Sequence, residues 1–400
     1  MNAFWQSVIS RALAEYTTPL YISAWHPVES ALTELRVLDG ILPLKHWLSF
    51  KTHPVAPLIR TWNRSGYGVE VVSEYEFLAA RHQKFRPEQI LVNGVAKHKW
   101  LQKYDVRKIR IHFDSLSEVE NLSDRASSSE WRVGLRCHVY EEHDPDEPEY
   151  GTQFGMLASE MKEAIKILKH KNAIPEGVHF HLRTNVESAD CYRHAISELA
   201  EICASLDFWP EYIDCGGGLP VVKEETGDAT SASKVAWLLK LREVLKTIPS
   251  QFPSTKEIWF ENGRFLTEGS CLLAVSVLDI KERPDSRYLI CDGGRTNHAL
   301  PSDWEVHEIV VSPHRTGRKR STTVCGSTCM AFDRLIRADL PEDIEVGDFI
   351  IWMDAGAYHI PWETRFSNGL AKVIWCDENH KLSIARQAEL FSQWWGSWEQ

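Results

Sequence analysis

Eight short strand-like runs alternate with helical patterns over roughly 230 residues, and this alternation constrains the fold more than any other feature. The runs are rich in β-branched and aromatic residues, and apolar residues recur at helical spacing between them. They are Trp47-Lys51, Val69-Val72, Ile90-Val92, Ile109-Phe113, Trp131-Cys137, Val178-Leu182, Glu211-Cys215 and Glu257-Glu261. Such alternation predicts an α/β fold, the parallel (β/α)8 TIM barrel.

After about residue 270 the pattern changes, because strand-like runs follow one another without long helical segments between them. These runs are Leu272-Ile280, Tyr288-Cys291, Glu305-Val311, Phe349-Met353 and Leu370-Trp375. They predict a second, mostly antiparallel β domain, a barrel or sandwich completed by a strand from the N-terminal segment. We therefore expect the barrel over residues 35–268 and the β domain over residues 1–34 and 269–400.

The composition excludes several classes of function. A formal net charge of -11 argues against non-specific binding to nucleic acid or to an anionic membrane. The nine cysteines include no Cys-x-x-Cys pair, so we predict no metal site and expect a reduced, cytoplasmic setting. The sequence shows no export signal and no apolar run of about 18 residues, so no membrane span is expected.

Chemistry in a (β/α)8 barrel gathers at the carboxyl ends of the strands. Taken singly, the polar residues there have ordinary interpretations: Lys51 can extend to solvent, His181 can be structural, and three glycines can form a flexible turn. The chemical alternatives are a buried, nucleophilic lysine and a glycine loop that approaches a phosphate. The polar residues at the predicted strand ends are Lys51, Glu70, Asn93, Asp114, Arg136, His181, Gly216-Gly217-Gly218 and Glu261.

Several motifs occur together in one order. Ser49-Phe50-Lys51-Thr52-His53 resembles Ala-Val-Lys-Ala-Asn, and His179-Phe180-His181 resembles a segment whose second histidine stacks on a cofactor ring. Asp214-Cys215-Gly216-Gly217-Gly218 is similar to a phosphate loop, and Glu261-Asn262-Gly263-Arg264 is similar to Glu-Pro-Gly-Arg. Cys325-Gly326-Ser327-Thr328-Cys329 and Gly356-Ala357-Tyr358 continue the series. Together they resemble the fold-type III pyridoxal-phosphate-dependent decarboxylases, the diaminopimelate and ornithine decarboxylase family with the alanine-racemase-like fold.

The resemblance implies a decarboxylase with pyridoxal 5'-phosphate as its cofactor. Lys51 would form the cofactor aldimine, Glu261 would keep the ring nitrogen protonated, and His181 would stack on the ring. Cys329 would act at the Cα carbanion, reaching the site from the other subunit of a homodimer with shared active sites. The residues implied in cofactor binding are Lys51, Glu70, Arg136, His181, Thr184, Gly216, Gly217, Gly218, Glu261, Gly263, Arg264 and Tyr358.

The departures from the family pattern lie where the substrate is chosen. Met330 replaces an acid that pairs with the distal amine of the substrate, and a thioether does not attract an ammonium. Arg183 replaces a glycine, and the run that ends in Arg295 lacks the tyrosine usually seen shortly afterwards. We therefore expect these three residues to contact an amino-acid headgroup within a specialised-metabolite intermediate of biosynthesis, carrier-tethered or nucleotide-linked, in place of free ornithine, lysine or diaminopimelate.

Two alternatives remain at this point: an amino-acid racemase, and a catalytically inactive protein of the same fold that binds a partner. The racemase branch of the family has an arginine at the ring nitrogen, so an acid at Glu261 favours decarboxylation. Two charged stretches, Glu141 to Glu149 and Arg315 to Arg320, are more typical of solvated turns than of binding patches. The basic stretch is also compatible with an anionic substrate.

Overall fold

A computed structural model describes residues 1–143, 151–221, 230–284, 286–298, 305 and 307–399. The chain forms two compact units. One, the barrel unit, comprises residues 31–51 and 59–265, and the other, the sheet unit, comprises residues 1–30, 52–58 and 266–400. The predicted acidic stretch lies outside the described residues from position 144 onward.

The barrel unit is a closed barrel of eight parallel strands, so the predicted TIM barrel is confirmed. Strand β1 (Leu20–Ala24) precedes it and belongs to the sheet unit. The strands end slightly earlier than the sequence indicated, since Lys51 and His181 both lie just beyond a strand. The barrel strands are β2 Leu44–Ser49, β3 Gly68–Val71, β4 Ile90–Val92, β5 Arg110–Phe113, β6 Arg132–Arg136, β7 Pro175–His179, β8 Tyr212–Asp214 and β9 Glu257–Asn262.

Helices separate the barrel strands, and their starts follow local sequence signals. Ser73 is the N-cap of the helix that begins at Glu74, and its Oγ accepts a hydrogen bond of 3.2 Å from the Glu76 amide. Glu76 Oε2 accepts one of 2.7 Å from the Val72 amide, one residue before the cap. Within the described residues no helix has both the length and the apolar composition that a membrane span requires. The helices are α1 Ala3–Glu15, α2 His26–Leu35, α3 Ala56–Arg64, α4 Glu74–His82, α5 Leu116–Ser128, α6 Ala158–His170, α7 Asp190–Ser205, α8 Thr230–Leu245, α9 Ile248–Gln251, α10 Arg264–Thr267, α11 Arg295–His298, α12 His359–Trp362 and α13 Phe391–Trp395.

The sheet unit contains a nine-stranded, mostly antiparallel sheet, as predicted. Strand β1 pairs antiparallel with β10 (Cys271–Arg283) and parallel with β16 (Lys372–Cys376). All five of its residues are buried, because Tyr21 packs into one hydrophobic cluster and its neighbours Leu20 and Ile22 pack into another. The remaining strands are β11 Ser286–Cys291, β12 Ile309–Ser312, β13 Lys319–Cys325, β14 Arg334–Pro341, β15 Phe349–Trp352 and β17 Leu382–Arg386.

The basic stretch Arg315 to Arg320 is held by ion pairs within the sheet unit. Arg315 Nε lies 2.7 Å from Asp348 Oδ2, and Arg320 Nη1 lies 2.7 Å from Glu282 Oε2. The Arg315 guanidinium donates hydrogen bonds to Asp348 and Glu345, and these bonds raise its pKa. These contacts favour the interpretation of the stretch as a structural turn.

Candidate active site

The carboxyl ends of the barrel strands surround a cavity of about 460 Å³. This volume lies within the range of about 300–1,000 Å³ that is typical of small-molecule sites. The structure brings seven of the predicted site residues together in its lining: Lys51, Glu70, Arg136, His181, Arg183, Thr184 and Glu261. Residues that are far apart in the sequence therefore meet at one end of the barrel.

Lys51 lies in the single 3-10 turn Phe50–Thr52 that follows β2, and its half-buried side chain faces the cavity. The buried carboxyl of Glu70 lines the same cavity and accepts a hydrogen bond of 2.6 Å from Ser49 Oγ. Burial raises the pKa of Glu70, while the charge of Lys51 opposes that rise. The cavity thus combines an amine with a carboxyl group that interacts with it electrostatically.

Glu261 is the most heavily contacted acid of the cavity. Its Oε1 accepts a hydrogen bond from Asn93 Nδ2 and lies 3.3 Å from His179 Nε2, while its Oε2 lies 3.5 Å from His181 Nδ1. Burial alone would raise the pKa of Glu261, but the neighbouring histidines outweigh burial and lower it. Glu261 is therefore ionised, with amide and imidazole groups directed at its two oxygens.

The histidines beneath the cavity are neutral. His112 and His179 stack with their ring centres 4.7 Å apart, and both are buried. Burial lowers the pKa of His112 to about 3 and lowers the pKa of His179 well below its usual range. Neither ring carries a charge at neutral pH, so both act on Glu261 as polar groups, alongside the hydrogen bond that Asn93 Nδ2 donates to its Oε1.

The glycine loop after β8 packs directly against the segment that carries His181. The Gly217 amide donates a hydrogen bond of 3.1 Å to His181 Nδ1, the ring nitrogen that also lies nearest to Glu261 Oε2. Gly216 has φ of 64°, and a Cβ there would lie 2.5 Å from the Phe180 carbonyl oxygen. Glycine is therefore required for this close approach, although the loop lies behind the lining residues and not among them.

Two arginines line the cavity with their charges already partnered. The Arg136 guanidinium pairs with the Glu142 carboxylate and lies 4.5 Å from the centre of the Phe154 ring. Arg183 Nη1 donates a hydrogen bond of 3.1 Å to the Glu141 carbonyl oxygen. These contacts orient both guanidinium groups at the cavity wall, where each can meet an anionic group of a ligand.

Several lining residues were absent from the sequence prediction of the site. Asn93 was named at a predicted strand end, and Val72 and Leu182 are the last residues of predicted strand runs, so position was the signal for these three. The others come from segments between the strands. The lining residues to which the sequence analysis gave no role are Val72, Asn93, Gly94, Val95, Glu142, Thr152, Phe154 and Leu182.

The other predicted residues lie elsewhere in the fold. Gly263 and the buried Arg264 follow β9. Cys329 and Tyr358 belong to the sheet unit, where Cys329 is exposed and the Tyr358 amide donates a hydrogen bond of 2.8 Å to the Thr52 carbonyl oxygen. Their predicted roles stay predictions.

A separate, mainly apolar pocket of about 430 Å³ lies within the sheet unit. Met330 and Arg295, two of the three residues expected to contact substrate, line it together. Phe332, Trp362 and Phe366, three exposed aromatic residues, line it as well.

A family model, curated relatives and solved structures all show similarity to one group of enzymes. The family model for the pyridoxal-dependent decarboxylases, pyridoxal binding domain, matches residues 35–268. The diaminopimelate decarboxylase of Archaeoglobus fulgidus is 24% identical over 375 residues, covering 90% of this chain and 87% of that protein. The L-glutamyl-(BtrI acyl-carrier protein) decarboxylase of Niallia circulans is 23% identical over 378 residues, covering 88% and 87%. The crystal structure of Helicobacter pylori diaminopimelate decarboxylase with L-lysine superposes with a TM-score of 0.82 at 20% identity, covering 98% of this chain and 99% of that chain.

Proposed function

The chain belongs to the pyridoxal-dependent decarboxylases, and from this membership we propose that it decarboxylates an amino-acid headgroup carried on a larger biosynthetic intermediate of specialised metabolism. The observation that carries the reaction class is the shared cavity of Lys51, Glu70, His181 and Glu261. Within one cavity these side chains provide a primary amine, two carboxyl groups and an imidazole, which is the donor set that pyridoxal phosphate requires.

When bound, pyridoxal phosphate supplies the electron-withdrawing ring that accepts the electron pair left at the α-carbon as carbon dioxide departs. Lys51 provides the nucleophilic amine that holds the cofactor. Glu261 is ionised and buried, and a carboxylate in such a position stabilises a proton on an adjacent ring nitrogen. His181, which accepts a hydrogen bond from the Gly217 amide, lines the cavity and would stack on the cofactor ring.

We assign the remaining predicted roles as parts of the same proposal. Gly216 to Gly218, Thr184, Gly263, Arg264 and Tyr358 would hold the cofactor phosphate, and Glu70 and Arg136 would shape the cavity around the ring. Cys329 would deliver or position the proton that replaces the lost carboxyl group, acting across the interface of a homodimer. A mixture of Lys51→Ala and Cys329→Ala chains tests this sharing, because random pairing restores roughly one functional site in four relative to unmixed wild type.

The substrate proposal depends on Met330 and on the apolar pocket that it lines with Arg295. The one carboxylate of the lining, Asp333, is buried and already accepts hydrogen bonds from the Arg295 amide and from Thr328 Oγ1. The rest of the wall is mainly apolar with one arginine, which suits an uncharged or anionic distal group better than a distal ammonium. The Niallia circulans relative, whose name specifies an amino acid on an acyl-carrier protein, also favours a carrier-linked substrate.

The experiment measures carbon dioxide release from free lysine, ornithine and diaminopimelate and from glutamyl thioesters of a pantetheine or a carrier protein. We expect kcat/KM to be highest for a carrier-linked substrate and to be abolished in Lys51→Ala, with the exposed Lys103→Ala as the matched control. Met330→Glu should shift the ratio of kcat/KM values towards substrates with a distal amine.

Efficient turnover of free diaminopimelate, lysine or ornithine would contradict the substrate proposal. Exchange of the α-hydrogen for deuterium without release of carbon dioxide would support the racemase alternative. Failure of the wild-type chain to take up pyridoxal phosphate would support the inactive binding protein.

A further inference from the structure

Three buried histidines meet in the sheet unit, outside the barrel cavity. His298 ends α11, His307 lies just before β12, and His359 begins α12. Their ligand atoms lie within 4.8 Å of one another, and all three side chains are buried. The carboxyl group of Glu305 lies beside them, with Oε2 3.2 Å from His307 Nε2 and 3.9 Å from His359 Nε2.

The spacing of the rings matches that of imidazoles around one metal ion. The ring centres of His298 and His307 are 5.5 Å apart, and those of the other two pairs are each 4.9 Å apart. Zn–N distances of about 2.0–2.1 Å with tetrahedral angles place imidazole ring centres about 5 Å from one another. Aromatic packing alone also brings rings this close, so the positions and hydrogen bonds of the ring nitrogens must distinguish a metal site from ordinary packing.

The hydrogen bonds of two rings determine which nitrogen carries the proton. His307 Nδ1 lies 2.7 Å from the Met353 carbonyl oxygen, and His359 Nδ1 lies 3.0 Å from the Ala357 carbonyl oxygen. A carbonyl only accepts, so both Nδ1 atoms donate, which leaves Nε2 of each ring as the atom for a bond to a metal ion. Backbone carbonyls that orient ligating histidines in this way are typical of metal sites.

His298 supplies the third imidazole and has an unusual environment. Its side chain is 1% exposed, and neither ring nitrogen has a hydrogen-bond partner within the described part of the chain. Leaving two polar atoms buried without a partner costs free energy that a ligand bond would offset.

We propose that His298, His307 and His359 bind a divalent transition-metal ion, with Glu305 as the fourth ligand. Three imidazole nitrogens and one carboxylate oxygen form a set that suits zinc in four-coordinate geometry. A cation also relieves the repulsion between the converging lone pairs and the carboxylate. The ion would tie His298 at the end of α11 to His359 at the start of α12, and this inference does not depend on the proposed function.

The test measures bound metal in the full chain, purified without a polyhistidine tag and dialysed with zinc and then with a weak chelator. We expect one zinc ion per chain to be retained. His298→Phe keeps an aromatic ring of similar volume and removes both nitrogens. It should weaken zinc binding by more than about 100-fold, which exceeds the usual effect of replacing a residue that only hydrogen-bonds to a ligand. His143→Ala is the matched control, because His143 forms another histidine pair, with its Nε2 3.3 Å from His138 Nε2.

Cobalt(II) substitution gives a second readout that needs no variant. The wild-type chain should show the intense visible bands of four-coordinate cobalt, and His298→Phe should lose them while its circular dichroism and its uptake of pyridoxal phosphate stay unchanged. The barrel unit also contains a set of His112, His179 and Glu261, so the variant is what locates the ion. A wild-type chain without bound zinc, or a His298→Phe variant that retains it, would overturn the proposal.

Discussion

Replacing Lys97 by methionine is expected to destabilise the barrel unit by about 3–5 kcal/mol, because the change leaves a buried carboxylate without its cation. Lys97 Nζ lies 2.6 Å from Glu118 Oε2, and both side chains are fully buried. Burial lowers the pKa of Lys97, and the charge of Glu118 offsets that effect. Glu118 also accepts hydrogen bonds of 2.9 Å from the amides of Lys97 and Asp114, so it cannot turn towards solvent.

In a domain of this size, each kcal/mol lowers the melting temperature by about 2–4 °C, so Lys97→Met should lower it by about 6–20 °C. Differential scanning calorimetry or a circular dichroism melt measures the shift. The exposed pair Lys166–Glu163 is the matched control, and Lys166→Met should change stability by less than about 1 kcal/mol.

A double-mutant cycle tests the reason for the loss. Lys97→Met with Glu118→Gln removes both charges and should be more stable than Lys97→Met alone, by at least about 1 kcal/mol. A Lys97→Met variant that melts like the wild type would refute the reasoning, as would a double variant less stable than both single variants.

Three further outcomes are expected. Gly216→Ala should weaken retention of pyridoxal phosphate after gel filtration, whereas Gly66→Ala, at a φ of 85° with open space around it, should not; equal retention by both variants would contradict the argument. Glu261→Gln should lower kcat on the order of 100-fold or more, and an unchanged rate would remove this carboxylate from the chemistry. Burial lowers the pKa of His53 to about 4, so the folded chain binds fewer protons than the unfolded chain between about pH 6.5 and about pH 4. The free energy of unfolding that His53 contributes above pH 6.5 is therefore lost as the pH falls, by about 2 kcal/mol at pH 5. Urea titrations above pH 6.5 and at pH 5 measure this loss, and His53→Gln should remove it.

The barrel could be predicted from sequence because its strands are short apolar runs with helices between them. Buried parallel strands such as Ile90–Val92 are apolar on both faces, so their pattern is strong. Strands Lys319–Cys325 and Arg334–Pro341 of the sheet unit were missed, because polar residues fill most of the first and exposed charged residues interrupt the second. Strand Leu382–Arg386 was missed because it is short and none of its residues is buried.

The candidate site was predicted where a residue stands at a strand end or within a family motif. Lys51, His181 and Glu261 satisfy both conditions, and the structure brings them into one cavity. Glu142 and Phe154 come from loops, whose course the alternation of strands and helices does not determine.

The cluster of His298, His307 and His359 shows most clearly what the sequence alone could not predict. The sequence analysis judged metal binding from the spacing of cysteines and predicted no site. His298, His307 and His359 follow no short spacing, because a sheet edge and two single-turn helices bring them together. Only the fold reveals that their nitrogens converge.

The most direct test of the central claim is to reduce the purified chain with borohydride and to map the modified peptide by mass spectrometry. Reduction fixes covalently a cofactor that is attached to a lysine. We predict a pyridoxyl-phosphate mass on the peptide that contains Lys51, together with loss of the visible absorbance band. Modification of a different lysine, or an unmodified chain after incubation with pyridoxal phosphate, would contradict the assignment of this cavity as the active site.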